Sequence, residues 1–136
     1  MLKRKVLLVD DSMTTLFMEE MILNGRYQVV KATNGEDAIE KARAERPDLI
    51  LLDVIMPKMD GFAVCRALRA EEATRTTPII MVTTRGEEEN VERGFEAGCN
   101  DYVTKPINGL ELLTKVENQL APPADRPAAP AGMAAV

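Results

Sequence analysis

Two stretches decide the fold of this chain: Val6-Leu7-Leu8-Val9-Asp10-Asp11 and Leu49-Ile50-Leu51-Leu52-Asp53. Each is a run of four apolar residues closed by aspartate. Such short runs without a polar position are typical of strands covered on both faces, and they predict a parallel sheet. Because parallel sheets bind ligands at the carboxyl ends of their strands, we expect Asp10, Asp11 and Asp53 to meet at one rim.

Three carboxylates in one crevice predict a cation between them. Like charges at short range raise each other's pKa unless a positive charge neutralises them. Mg²⁺ prefers oxygen ligands and commonly binds one or two carboxylates together with a phosphate. We expect Asp10 and Asp11 to hold Mg²⁺, and we interpret Asp53 as a nucleophile toward phosphorus that forms an acyl phosphate.

Two further strand ends carry groups that suit an anion. Thr83 follows the apolar run that ends at Val82, and Lys105 follows Thr104 at the end of the next predicted strand. In a parallel sheet these ends face the same rim as the aspartates. A phosphoryl group there would find Thr83 as a hydrogen-bond donor and Lys105 as a positive charge.

Strand and helix signals alternate through residue 120. Predicted strands cover residues 6–9, 27–32, 48–53, 78–82 and 101–104, and predicted helices cover 13–24, 34–46, 62–72, 87–97 and 110–120. Five β/α units with short connections indicate an α/β fold, a parallel sheet with helices on both faces. Either Asp11 or Ser12 can cap the first helix.

Composition excludes several classes of function. The chain has 136 residues, of which 46% are hydrophobic, enough for one domain. A net charge of −5 gives no support for binding nucleic acid or an anionic membrane. The absence of histidine excludes His-based triads, His metal sites and a phosphohistidine carrier. Cys65 and Cys99 lack CxxC spacing, so we expect reduced buried thiols and a cytoplasmic protein without signal peptide or membrane span.

The last residues differ from the rest in composition. Alanine and proline fill 11 of the 16 positions in residues 121–136, seven and four respectively, without periodicity. We therefore expect one folded domain over residues 1–120 and a disordered tail or linker over 121–136. Whether a further domain follows is left open.

Four separated motifs then resemble one family. They are Val9-Asp10-Asp11-Ser12, the run from Leu52-Asp53-Val54-Ile55 through Met56-Pro57-Lys58-Met59-Asp60-Gly61, Val82-Thr83-Thr84, and Tyr102-Val103-Thr104-Lys105-Pro106. Together, over residues 3–120, they resemble the receiver domain of bacterial response regulators of the stand-alone chemotaxis-regulator type. The resemblance implies a flavodoxin-like (βα)5 three-layer sandwich with strand order 2-1-3-4-5.

The resemblance also implies a two-component phosphorylation switch. Asp53 would accept a phosphoryl group from the phosphohistidine of a sensor histidine kinase or a histidine phosphotransfer protein. Asp11, Asp53 and the backbone carbonyl of Ile55 would ligate Mg²⁺, with Asp10 acting through metal-bound water.

The remaining implied roles concern the response to phosphorylation. Thr83 and Lys105 would contact the phosphoryl oxygens, and Tyr102 would turn inward. The face formed by the fourth helix, fifth strand and fifth helix would then bind a downstream protein partner. The Lys105-Pro106 peptide would be cis.

Two alternatives remain beside this interpretation. One is a degenerate receiver that is never phosphorylated and acts as a constitutive interaction module. The other is a magnesium phosphohydrolase, although that class has an Asp-x-Asp pair, which Asp10-Asp11 does not match. We expect no enzymatic activity other than accepting a phosphoryl group on its own aspartate and hydrolysing the resulting aspartyl phosphate.

Partner surfaces can also be predicted. The first helix has apolar residues around its whole circumference, which indicates either deep burial or an exposed docking strip. We hypothesise that Met13 and Leu16 contact the kinase. We expect a monomer, with weak dimerisation at most on phosphorylation.

Overall fold

The computed structural model describes residues 3–84 and 86–121, which form five strands and five helices in alternation. The elements are β1 Lys5–Val9, α1 Met13–Leu23, β2 Gln28–Ala32, α2 Gly35–Glu45, β3 Leu49–Asp53, α3 Gly61–Ala70, β4 Ile79–Thr84, α4 Glu88–Ala97, β5 Asp101–Lys105 and α5 Gly109–Leu120. The predicted alternation is confirmed, and the predicted ends differ from these by one or two residues.

The strands pair in parallel in the order β2-β1-β3-β4-β5. This is the flavodoxin-like order that the resemblance implies, and it is confirmed. β1 and β3 are neighbours, with Val9 paired to Leu52. The chain crosses from one side of β1 to the other between β2 and β3, so the crevice expected at such a switch point opens beyond the ends of β1 and β3.

Apolar side chains fill both faces of the sheet, because successive residues of a strand point to opposite sides. Leu7 and Leu52 belong to one buried cluster, which also includes side chains of α2, α3 and α4. Leu8 and Leu51 belong to a second cluster, with side chains of α1 and α5. The result is three layers, as expected from strands that are apolar throughout.

Local signals set the ends of the first two helices. Ser12 caps α1, and its side chain accepts a hydrogen bond from the Thr15 N–H at 3.3 Å. Of the two predicted candidates, Ser12 is therefore the residue that caps α1, and the Asp11 carboxylate is not used as the cap. Arg46 follows α2 in the left-handed conformation, with φ 47°, so that helix ends at Glu45, two residues before Pro47.

β4 and β5 run further than predicted. The sequence placed Thr83 and Lys105 just beyond their strands, but both lie inside the ladder, where Thr83 pairs with Thr104 and Thr84 pairs with Lys105. The apolar runs marked only the part of each strand that is buried on both faces. Polar residues at the rim continue the backbone pairing, which hydrophobicity alone does not reveal.

Arg69, at the end of α3, ties two loops together through five hydrogen bonds from its guanidinium group. Nε donates to the carbonyl of Gly98, Nη1 donates to the carbonyls of Thr74, Arg75 and Thr77, and Nη2 donates to Asn100 Oδ1 at 2.8 Å. Asn100 Oδ1 also accepts from the Ile79 N–H at the start of β4. Arg69 therefore joins α3, the loop before β4 and the turn before β5.

α1 is buried on one side and exposed on the other. Leu16, Glu19 and Leu23 are buried, whereas Met13, Phe17, Met18 and Met21 are 65%, 61%, 44% and 62% exposed. We call these four exposed residues the α1 apolar strip. The hypothesis that Leu16 contacts a kinase is therefore wrong, because Leu16 is 1% exposed and packs in the core.

Other expectations have mixed outcomes. Cys65 and Cys99 are free and buried, as expected of structural thiols. No helix within the described residues is long and apolar enough to span a membrane. The predicted tail covers residues 121–136, and all of it after Ala121 lies outside the residues that the structure describes.

Candidate functional site

The three aspartates meet at the rim of the sheet. Asp10 and Asp11 directly follow β1, and Asp53 is the last residue of β3. Because these strands are paired, carboxylate oxygens of the three residues lie within 4.8 Å of one another. Asp10 and Asp53 are buried, whereas Asp11 is exposed at the mouth of the crevice.

Lys105 reaches the same crevice from β5. Its Nζ atom lies 3.3 Å from Asp10 Oδ2 and 3.3 Å from Asp53 Oδ1. Asp10 is held in place by its other oxygen, since Oδ1 accepts a hydrogen bond from the Ser12 N–H at 2.8 Å. One ammonium group therefore joins the two buried carboxylates.

The pKa values of Asp53 and Lys105 are both raised, but for different reasons. Burial raises the pKa of Asp53 to about 6, and the Asp10 carboxylate adds to this, while Lys105 opposes it. For Lys105, burial alone would lower the pKa, but the carboxylates of Asp53 and Asp10 raise it above its ordinary value. Lys105 thus stays charged at neutral pH. A further cation beside Asp53 would lower the pKa of its carboxyl group.

The donor set fits Mg²⁺. Three carboxylates within 4.8 Å supply only hard oxygen ligands. Asp10 Oδ2 is buried and faces the Lys105 ammonium group at 3.3 Å, so this oxygen already lies beside a cation and could contact a metal ion in the same crevice. Ile55, whose carbonyl the resemblance assigns to the metal, lies in the loop that leaves Asp53 and has an exposed side chain.

That loop depends on a glycine. A Cβ atom on Gly61 would lie 2.3 Å from the carbonyl oxygen of Asp53, so no larger residue fits without moving the backbone. Gly61 N–H also donates to the carbonyl of Val54 at 2.8 Å, and Asp60 caps α3 through the Ala63 N–H at 2.9 Å. These contacts fold the loop back against the end of β3 and position Asp53.

Thr83 lies on the strand beside Asp53, since Asp53 pairs with Val82 in the ladder. Its hydroxyl is buried and has no hydrogen-bond partner among the residues that the structure describes. A buried hydroxyl without a partner is unfavourable, so a group that could accept its hydrogen bond would be stabilised here. The peptide bond between Lys105 and Pro106 is cis.

Tyr102 is half-buried on β5 and does not reach the aspartates. Its ring packs edge-to-face on Phe95, with 6.2 Å between ring centroids, and Lys115 Nζ lies 4.7 Å from the ring centre. A cavity of about 240 Å³ separates it from Thr83, with Thr84, Val91 and Thr104 among its lining residues. Tyr102 therefore borders an empty space beside the crevice.

Sequence reasoning missed Glu19. This residue of α1 is 1% exposed, and its Oε1 atom has no hydrogen-bond partner. Its pKa is raised to about 8, mainly by burial and also by the Asp10 and Asp53 carboxylates, while Lys105 opposes the rise. The signal was present, because Glu19 lies three residues after Leu16 and four before Leu23, on their buried face of the helix.

Comparisons with known proteins agree with this geometry. The family described as "Response regulator receiver domain" matches residues 6–117. Protein PilH of Pseudomonas aeruginosa is 38% identical over 118 residues, which cover 86% of this chain and 98% of PilH. The alkaline phosphatase synthesis transcriptional regulatory protein PhoP of Bacillus subtilis is 42% identical over 118 residues, covering 85% of this chain and 48% of PhoP. The chain thus spans about half the length of PhoP.

A solved receiver domain with bound magnesium shares the fold. The receiver domain of sensor histidine kinase PA1611 from Pseudomonas aeruginosa, with a magnesium ion coordinated in its active-site cleft, is 32% identical. It superposes with a TM-score of 0.81 over 87% of this chain and 98% of that domain. With its parallel sheet, its acidic crevice and a family match over most of its length, this chain belongs to the response regulator receiver domains of two-component systems.

Proposed function

We propose that this chain is a Mg²⁺-dependent phosphorylation switch in which Asp53 accepts a phosphoryl group. The observation that supports this most directly is the cluster of Asp10, Asp11 and Asp53 within 4.8 Å, joined by Lys105. Asp10, Asp11, Asp53 and the carbonyl of Ile55 would hold Mg²⁺, which, when bound, neutralises charge on phosphoryl oxygens. The magnesium in the cleft of the PA1611 receiver domain supports the same assignment.

The transfer itself needs little from the protein beyond positioning. A carboxylate oxygen of Asp53 forms a bond to phosphorus, and the bond from phosphorus to the donor's histidine nitrogen breaks, with its electron pair remaining on the imidazole. Thr83 donates its unpartnered hydroxyl to a phosphoryl oxygen, and Lys105 pairs with another. Hydrolysis of this acyl phosphate returns Asp53 to its carboxylate, and no other reaction is proposed.

The response to phosphorylation involves Tyr102. When Thr83 turns toward the phosphoryl group, the cavity of about 240 Å³ beside it can receive the Tyr102 ring. That movement changes the surface formed by α4, β5 and α5, which we assign to a downstream protein target. The switch is thus a two-state element biased by a covalent group.

The proposal is tested by incubating the protein with acetyl phosphate and Mg²⁺ and following its intact mass. We expect one labile phosphoryl adduct in the wild-type protein and none in Asp53→Asn. Asp48→Asn, which alters an exposed aspartate just before β3 at the opposite end of the same strand, is the matched control and should still form the adduct. Absence of an adduct in the wild-type protein would indicate a constitutive interaction module, and continuous release of phosphate from the donor would indicate a phosphohydrolase.

We also propose that the α1 apolar strip is the docking surface for a sensor histidine kinase or a histidine phosphotransfer protein. Its four residues lie on α1, the helix that follows Asp11 and its capping residue Ser12, beside the phosphorylation crevice. Exposed apolar residues grouped on one helix face are typical of protein interaction sites. Met13, from the original hypothesis, remains part of this surface.

For this docking surface, we expect Phe17→Glu to slow phosphotransfer about tenfold, because a charge would be buried at the interface. The donor is a phosphorylated histidine phosphotransfer domain that phosphorylates the wild-type chain. Phosphorylation by acetyl phosphate should not change, since it needs no docking. Ala44→Glu adds the same charge on an exposed position of α2 and should behave as wild type. Equal phosphotransfer rates for both variants would contradict the assignment.

A further inference from the structure

Lys115, on α5, contacts Tyr102 in a way that the proposed function does not explain. Its Nζ atom donates a hydrogen bond to the Tyr102 carbonyl and lies 4.7 Å from the centre of the Tyr102 ring. The same atom lies 3.5 Å from Asp101 Oδ1, which accepts a hydrogen bond from the Tyr102 N–H at 2.8 Å. One ammonium group is therefore fixed to β5 and at the same time contacts the aromatic ring.

The contacts of Tyr102 respond differently to a turn of its ring. The hydrogen bonds of its N–H and carbonyl groups persist, because rotation of a side chain leaves the backbone in place. The contact with Lys115 and the edge-to-face contact with Phe95, at 6.2 Å between ring centroids, both depend on where the ring lies. Since Lys115 is anchored to the carbonyl and to Asp101, its ammonium group cannot follow the ring.

The ring contact stabilises the present position of Tyr102. An ammonium group within about 6 Å of the centre of an aromatic ring is attracted to the negative face of that ring, more strongly where water is excluded. The Lys115 side chain is 25% exposed, so this contact is partly shielded from water. Lys115 is not among the described residues that line the cavity of about 240 Å³ beside Thr83. A ring that turned into that cavity would therefore lose the attraction.

We propose that Lys115 is a positioning residue that holds Tyr102 in the outward position seen here and opposes its turn into the cavity beside Thr83. This inference rests on the proposed function, in which phosphorylation of Asp53 stabilises the inward position. The phosphoryl group must then overcome the Lys115 contact. The unphosphorylated chain consequently stays more fully in its inactive state than it would without this lysine.

The affinity for beryllofluoride, a mimic of the phosphoryl group that binds together with Mg²⁺, tests this proposal. A ligand that selects the inward position binds more tightly when that position is more populated. We expect Lys115→Gln, which can still donate to the Tyr102 carbonyl but carries no charge, to tighten apparent binding about threefold. Lys115→Arg keeps a cation and should bind with about the wild-type affinity. Binding is followed by amide chemical shifts at saturating Mg²⁺.

Two controls separate the ring contact from the loss of a charge. Lys41→Gln removes a lysine that likewise donates to a backbone carbonyl, that of Lys31, and lies 3.1 Å from Asp37 Oδ2. Lys41 makes no ring contact within the part of the chain that the structure describes, so its replacement should leave the affinity unchanged. In a Tyr102→Leu background, Lys115→Gln should also have no effect, because no aromatic ring remains for the ammonium group to hold.

The contrary results distinguish this inference from the proposed function. Unchanged or weaker binding by Lys115→Gln, or equal tightening by Lys41→Gln or in the Tyr102→Leu background, would overturn the role of Lys115 alone, since beryllofluoride would still bind. A merely structural role cannot produce the expected result, because a packing defect does not tighten binding. A wild-type protein that does not bind beryllofluoride with Mg²⁺ would overturn the role of Lys115 and the proposed function together.

Discussion

Replacing Glu19 with glutamine is expected to flatten the pH dependence of stability measured without Mg²⁺. The pKa of Glu19 is raised from 4.5 to about 8 in the folded protein. Below pH 4.5 the residue is protonated in both the folded and the unfolded chain and carries no penalty. As the pH rises, the unfolded chain loses this proton first, so the wild-type protein loses stability progressively until the pH passes the folded-state pKa.

The size of this effect is large for one side chain. Between about pH 5 and pH 8 we expect the wild-type protein to lose about 3 kcal/mol of unfolding free energy through Glu19. Asp53, with a pKa raised to about 6, adds a smaller loss of the same sign at lower pH, which remains in the variant. Urea unfolding at pH 5 and pH 8 measures the difference, with Glu20→Gln as control. If wild type and Glu19→Gln lose stability in parallel, Glu19 is not protonated in the folded protein.

The second large effect is expected from Arg69→Met. Methionine keeps most of the apolar stem but removes five hydrogen bonds to Gly98, Thr74, Arg75, Thr77 and Asn100. The carbonyl and amide oxygens that accept these hydrogen bonds, in the loops before β4 and β5, then lose their charged donor. Because an unsatisfied buried group costs about 1–3 kcal/mol, we expect a loss of roughly 3–5 kcal/mol of unfolding free energy.

Chemical denaturation of Arg69→Met and Arg66→Met provides the comparison. Arg66 is an exposed arginine on the same helix, and its replacement should change stability by less than about 0.5 kcal/mol. Arg69 contacts the loops that precede β4 and β5, whereas the aspartates lie at the carboxyl ends of the strands. The fraction of folded Arg69→Met that accepts a phosphoryl group from acetyl phosphate should therefore match wild type. A loss similar to that of Arg66→Met would show that water replaces the guanidinium group at its acceptors.

The apolar strand pattern was enough to predict a parallel sheet and the end of it that would carry the chemistry, whereas the strand order came from the family resemblance. Asp10, Asp53 and Lys105 follow or close apolar strands, and parallel strands bring such residues to one rim whatever the details of packing. The capping residue of α1 could be narrowed only to two candidates, because Asp11 and Ser12 are both good caps. The hydrogen bond from the Thr15 N–H to the Ser12 side chain, which identifies Ser12 as the cap, is visible only in the structure.

Other residues were beyond sequence reasoning for physical reasons. Leu16 was assigned to the surface because α1 is apolar on all sides, so periodicity could not separate its buried face from its exposed one. Arg69 reads as an ordinary charged residue near the end of a helix, and its partners come from loops brought together only by the tertiary fold. Glu19 has the spacing of the buried face of α1, but an ionisable residue is ordinarily exposed, so its burial follows only from the packing of the helix on the sheet.

The composition of the α1 apolar strip has a consequence for partner choice. Three of its four residues, Met13, Met18 and Met21, are methionines. A thioether side chain has several accessible rotamers and a polarisable sulfur, so it fits surfaces of different shape with little loss of contact. Such a surface adapts to related helices without discriminating among them, and selection of the correct phosphate donor must come from the polar residues around it.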